Sequence, residues 1–197
     1  RPVLGIGLGC QLLAAVLGAR ITPGRGEIGW FTVLLTVSGM EDPLWVGLKP
    51  MFVALHWHDS STDLPENTVL LASSERTDCQ AFSYKRLAYG LQFHLEATED
   101  IVRNMIRRFG RAPGEENFDE ALIKNGIRRY MSTQQFYGET IFRRWARSLS
   151  RDYGTIVTTP PETPHPESPE IHFPPAASTP PGRASRRRSS RGDNGSC

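Results

Sequence analysis

Val3-Leu4-Gly5-Ile6-Gly7-Leu8-Gly9-Cys10-Gln11 is the stretch whose reading decides the fold. Val3 to Ile6 is short and apolar without alternation, the pattern of a strand buried on both faces of a parallel sheet. Gln11 to Leu17 continues as a helix, and Gly18 stands where a helix is stopped. Between the two, glycines allow a sharp turn with Gly7 at its tip. A strand, a tight turn and a helix in this order make the kind of elbow that can hold a nucleophile away from the sheet. The residue at this tip carries no side chain.

Working outward, Trp30 to Val37 and Met51 to His58 are rich in β-branched and aromatic residues and read as strands. Val69 to Ser73, Cys79 to Tyr84 and Leu87 to Phe93 read as three more. Periodicity then changes. Thr98 caps a helix whose first turn holds Glu99 and Asp100, favourable at the positive end of the dipole, and Ile101, Met105 and Phe109 recur along one face. Asp119 to Tyr130 and Thr133 to Leu149 are predicted as two further helices. The second carries Phe136, Ile141, Phe142, Trp145 and Leu149, a stripe at helical spacing that predicts core packing. Strands interleaved with helices define an α/β domain.

The last strand runs into Gly90-Leu91-Gln92-Phe93-His94-Leu95-Glu96. An imidazole and a carboxylate two residues apart share one face of an extended chain, so the carboxylate can orient the ring. Taken together, the elbow and this motif resemble the class I glutamine amidotransferases. Their elbow reads roughly Gly-Ile-Cys-x-Gly-x-Gln and their distal motif Gly-x-Gln-Phe-His-x-Glu. Gly5, Ile6, Gly9 and Gln11 match the first pattern, and Gly90, Gln92, Phe93, His94 and Glu96 match the second. The resemblance runs from about Pro2 to Phe109. It departs at Gly7, which stands where the family has its cysteine.

The resemblance implies an open, mostly parallel, flavodoxin-like sheet flanked by helices. Family members carry about two βα units before the elbow, so a sequence opening at Arg1 is expected to miss those first units. It also implies the chemistry: hydrolysis of the glutamine side-chain amide by a Cys-His-Glu triad, with no cofactor. His94 would be the general base and acid and Glu96 would orient it. The Leu8 amide would be one oxyanion donor, and Gln11 with the His58-Asp59 region would line the glutamine pocket. The substrate would be glutamine or another γ-glutamyl compound, and a synthetase subunit would be the partner receiving ammonia. With Gly7 at the nucleophile position, hydrolysis is expected to be impaired. Cys10 lies one helical turn, roughly 5 Å, beyond the tip and is expected to be a small buried residue rather than a substitute nucleophile.

Two function classes follow. As an enzyme, the chain would be similar to the glutaminase part of guanylate synthesis or to the related γ-glutamyl peptidases. As a pseudoenzyme, it would bind glutamine or a partner without hydrolysis. Other patterns carry less. Gly5-Ile6-Gly7-Leu8-Gly9 looks like a dinucleotide fingerprint, but Cys10 occupies its third glycine position and Glu27 sits in a Gly-rich turn rather than after a second strand. His56-x-His58 suggests a metal, but no cysteine or carboxylate stands at ligand spacing, so none is predicted. Glu27 is given no catalytic role.

Composition bounds the remainder. A chain of 197 residues with 39% apolar content can build one domain with a core, and a net charge of +2 does not imply nucleic acid as a partner of the folded domain. No run is long enough to span a bilayer. Three cysteines without framework spacing point to a reducing compartment, and the cytoplasm is expected. Nine of the fifteen prolines lie beyond Gly154, with an arginine cluster at Arg183, Arg186, Arg187, Arg188 and Arg191. The expected organisation is an amidotransferase-like domain over residues 1–110, a helical extension over 111–154 and a disordered tail over 155–197.

Overall fold

A computed structural model describes residues 2–109 and 118–153 of the chain. The predicted tail and its arginine cluster lie outside the described residues. In chain order the elements are β1 (Val3–Ile6), α1 (Leu8–Val16), β2 (Ile21–Leu35), α2 (Val37–Glu41), β3 (Met51–Thr62), β4 (Val69–Ser73), β5 (Ala81–Tyr84), β6 (Ala88–Leu91), α3 (Glu99–Phe109) and α4 (Glu120–Tyr153). The strands form one open sheet in the order β1-β6-β5-β4-β2-β3.

The open α/β sheet with helices is the architecture the sequence implied, in a mixed form. Among the described strands only β1 and β6 pair in parallel, with Val3 opposite Ala88 and Ile6 opposite Leu91. The other neighbours are antiparallel. Connection length explains the antiparallel β4/β5 and β5/β6 pairs. Residues 74–80 and 85–87 are too few for the crossover of a dozen or more residues that parallel neighbours need, whereas β1 and β6 are separated by most of the domain.

Successive residues of a strand face opposite sides, and the core divides accordingly. Ala81, Leu71 and Leu91 lie in one cluster with Phe52, Trp45, Phe93, Tyr137 and Ile141. Phe82, next to Ala81, packs instead with Cys10, Ala14 and Cys79. Helix α1 therefore covers one face of the sheet and α4 the other. A third cluster joins Leu55 of β3 to Val102 and Ile106 of α3 and to Ile123, Ile127 and Met131 of α4.

Four local expectations are corrected. The first helix begins at Leu8 rather than Gln11, because Gly7 itself is the N-cap. Strand β2 begins at Ile21, not Trp30; a bulge between Pro23 and Glu27 lets the Gly-rich run stay paired with β3, so Glu27 lies in the sheet and not in a turn. The two helices predicted over Asp119 to Leu149 are one, α4, since nothing between Tyr130 and Thr133 breaks it. In α3 the buried residues are Val102 and Ile106, while Ile101 and Phe109 are exposed. Met105, the middle residue of the predicted i, i+4 series, is partly buried against the third cluster, so packing turned the helix to bury the neighbouring series instead. The aromatic stripe of α4 does pack inward: Ile141 is buried, and Phe136, Phe142 and Trp145 lie against the main cluster.

Candidate active site

Gly7 closes β1 and opens α1. Its amide donates to Leu91 O at 2.8 Å, continuing the parallel pairing, and its carbonyl accepts from Cys10 N and Gln11 N at 3.0 and 3.2 Å. Serving both elements at once bends the backbone to φ 54°, ψ −115°. Glycine takes this conformation readily and other residues take it only under strain. Leu8 and Gln11 fall in the first turn of α1, with the Leu8 side chain exposed and Gln11 half-buried.

His94 and Glu96 follow β6 in a turn rather than on a strand. Their contact is the expected one: His94 Nδ1 lies 2.7 Å from Glu96 Oε1. An ionised carboxylate can only accept, so Nδ1 is the donor in this contact. Leu95, between them, is buried and anchors the turn. The His94 amide donates to Leu55 O of β3 at 2.8 Å. Helix α4 adds a second support. Gln134, fully buried, accepts from Leu55 N at 2.7 Å and donates to Ala97 O at 3.1 Å. A Cβ at Gly138 would stand 2.5 Å from Leu95 O, so glycine there lets the helix backbone approach the dyad turn.

The elbow and the dyad meet. A Cβ at residue 7, built on the existing backbone, would lie 3.0 Å from His94 Nε2 and 2.5 Å from Cε1. A side chain there would meet the His94 ring at Cε1 and Nε2. Cys10 does not share this position. It is buried beneath the sheet, and burial pushes its thiol pKa far above the ordinary 9.0.

His58 and Asp59 are engaged elsewhere. Asp59 is exposed and accepts from Ser60 Oγ at 2.7 Å. The His58 ring turns inward, with Nδ1 2.9 Å from Ser60 O and Nε2 3.4 Å from Glu27 Oε2. His56 Nδ1 also lies 3.4 Å from that oxygen. Ser74 Oγ and Gln80 Nε2 complete the surroundings of the Glu27 carboxylate, donating at 2.8 and 2.5 Å. Burial opposes ionisation of Glu27, but the two imidazoles and Ser74 outweigh it and hold the carboxyl well below its usual range. For His56, burial lowers the ring pKa despite Glu27.

This buried group was missed by sequence reasoning, which weighed His56-x-His58 alone and placed Glu27 in a turn. Glu27 is opposite His58 across the β2/β3 pair and Gly29 is opposite His56. Both motifs have period two, and that was the available signal. A separate cleft of about 420 Å³ is lined by Arg20, Thr62, Asp63, Arg76 and Asp78 and does not include Gly7, His94 or Glu96. No helix of the described residues is long and apolar enough to cross a membrane.

Fold and site together define an α/β protein with a strand-turn-helix elbow facing a His-Glu dyad. Comparison with known proteins supplies the family. The glutamine amidotransferase class-I profile matches residues 1–111. The putative glutamine amidotransferase-like protein YfeJ of Salmonella typhimurium is 34% identical over 108 residues, covering 54% of this chain and 45% of that protein. A subunit of the glutamine-hydrolyzing GMP synthase of Pyrococcus abyssi is 35% identical over 116 residues, covering 55% and 61%. Among solved structures, a glutamine amidotransferase from Thermotoga maritima superposes with a TM-score of 0.64 at 28% identity, over 73% of this chain and 62% of that one. This chain belongs to the class-I glutamine amidotransferase family. It spans about half to three fifths of the length of these two sequence relatives.

Proposed function

We propose that the chain carries a glutaminase site in which every described catalytic group is in place except the nucleophile, so that hydrolysis of the glutamine side-chain amide is impaired. The observation that supports this most directly is the closeness of the Cβ position at Gly7 to the His94 ring, 2.5 Å from Cε1 and 3.0 Å from Nε2. In the family reaction a cysteine thiol at this position gives its proton to Nε2 and its sulfur attacks the amide carbonyl. The imidazolium then protonates the departing ammonia, and water, deprotonated by the same nitrogen, releases glutamate from the thioester. Glu96 holds the ring and balances its charge during both transfers. The Leu8 N–H, at the positive end of α1, is the proposed oxyanion donor, with Gln11 beside the substrate. Glycine offers no atom to attack, so these groups bind and polarise a substrate that is not cleaved.

On this reading the ligand is glutamine or another γ-glutamyl compound. The pseudoenzyme role, binding without turnover, follows from Gly7; a γ-glutamyl peptidase would use the same atoms. The partner proposed is a synthetase subunit, since one relative is named as a subunit of GMP synthase. Of the His58-Asp59 pair, the exposed Asp59 is the proposed wall residue of the pocket, while the His58 ring is turned inward to Glu27. The cytoplasm is the proposed location.

Ammonia release from glutamine tests the proposal, assayed for the parent chain, Gly7→Cys, and Gly7→Cys combined with His94→Ala. The parent should be close to background. Gly7→Cys should gain on the order of 10³-fold or more, and the double variant should lose that gain. Glutamine turnover by the parent at an ordinary enzymatic rate would sink the proposal, as would a folded Gly7→Cys protein with no gain.

A further inference from the structure

We propose that Glu27, His56 and His58 bind one divalent first-row transition cation, with zinc the best match, in a buried site that joins β2 to β3 behind the dyad. The donors come from facing strands. Glu27 is the direct partner of His58, and His56 is opposite Gly29, two residues along the same strand pair. Their donor atoms all lie within 4.8 Å of one another, and all three residues are buried.

The distances fit an ion better than a hydrogen bond. His56 Nδ1 and His58 Nε2 each lie 3.4 Å from Glu27 Oε2. That is beyond the usual 2.7–3.2 Å of an N–H···O bond. It is close to the edge of a tetrahedron with metal–ligand bonds of about 2.0–2.1 Å, which is about 3.3–3.4 Å. Both of these nitrogens, and His56 Nε2 as well, are buried without a hydrogen-bond partner among the described residues.

Proton positions lead to the same place. His58 Nδ1 faces the carbonyl of Ser60 at 2.9 Å and must donate to it. In the neutral ring Nε2 is then a bare lone pair directed at a carboxylate oxygen, a repulsive arrangement that a cation between them converts into two bonds. An N–H to carbonyl bond on the far side of a ligating imidazole is also how metal sites fix ring orientation. Ser74 does the equivalent for Glu27, donating to Oε1 at 2.8 Å, while Gln80 Nε2 lies 2.5 Å from Oε2, the oxygen that the imidazoles face. Two neutral imidazoles with one carboxylate favour zinc and its neighbours over magnesium or calcium, which take oxygen shells. Water completes the coordination.

The site bears on the dyad through one residue. Leu55, adjacent to His56, accepts the His94 amide at 2.8 Å, and the His56 ring lies 5.8 Å from that of Phe93. The ion would position the strand that holds His94 rather than touch substrate. The inference does not depend on whether glutamine is hydrolysed.

The test uses the full chain, stripped with a chelator, returned to zinc or cobalt, and freed of excess metal by gel filtration. Expected are one zinc retained per chain by elemental analysis, a raised melting temperature, and the visible absorption of four-coordinate cobalt. Glu27→Gln and His58→Gln, checked for folding by circular dichroism, should each weaken retention by more than about 100-fold, while His94→Ala should retain the ion. Folded parent protein that holds neither metal would overturn the proposal. So would variants that bind as the parent does, or loss of the ion in His94→Ala. Detection by NMR of a doubly protonated His58 ring after zinc addition would also overturn it, assigning the cluster to an imidazolium–carboxylate pair.

Discussion

At position 7 a backbone of φ 54°, ψ −115° coincides with a blocked direction, because a Cβ there would come within 2.5 Å of His94 Cε1. Gly7→Cys must therefore accept backbone strain and shift the His94 ring. We expect it to destabilise the fold by about 1–3 kcal/mol while restoring ammonia release, and urea denaturation of parent and variant measures the first half. A cysteine variant as stable as the parent or more stable would show that the elbow stores no strain. Cys10 illustrates the opposite situation. Its thiol is buried and held neutral, as is that of Cys79, pushed up to about 12 by burial and then by Asp63 and Asp78. Neither should react with iodoacetamide at pH 8 in the folded protein, and both should react after unfolding. Fast native-state alkylation, located by peptide mass mapping, would contradict this and reopen Cys10 as a nucleophile.

Helix α4 is the element on which the dyad rests. Its Gln134 side chain satisfies one amide of β3 and one carbonyl just after the dyad, and the same Leu55 that it holds accepts the His94 amide. Gln134→Leu leaves a buried N–H and a buried C=O without partners, at a cost of about 1–3 kcal/mol each. We expect a total loss of about 2–6 kcal/mol, read by denaturant titration. In the Gly7→Cys background the rate of ammonia release should fall even in the fraction that stays folded. Loss of stability with an unchanged rate would show that α4 supports the fold but not the site.

At the scale of the molecule, four acidic groups are kept neutral by burial. Cys79 and Tyr137 are pushed up to about 12, and Cys10 and Tyr89 are raised further, Tyr89 also by the neighbouring Asp42. The ordinary values are 9.0 for the thiols and 10.0 for the phenols. Because the folded pKa values are the higher ones, the unfolded chain loses these protons first. Their contribution to stability is complete below pH 9 and is lost as pH rises through 9 toward 12. Denaturation midpoints measured from about pH 7 to 11 should fall steeply above pH 9. A flat profile would mean that these groups are solvated in the folded protein.

The sequence by itself determined the strand-turn-helix elbow, the strands rich in β-branched and aromatic residues and the Gly90 to Glu96 motif. Each depends on neighbours within a few residues, where local propensity acts. Gly18 as a helix stop and Thr98 as a helix start were legible for the same reason. The tertiary structure decided what depends on distant partners. It chose Val102 and Ile106 over Ile101 as the buried side of α3, because the packing of Leu55 and Ile123 selects the face. It kept the run around Glu27 in the sheet, because β3 supplied a partner strand through Thr62. It brought that carboxylate to two histidines on the neighbouring strand, and set the Gly7 Cβ direction against His94. Register and packing are long-range quantities, set when the burial of a whole face outweighs local preference, and no short window of residues contains them.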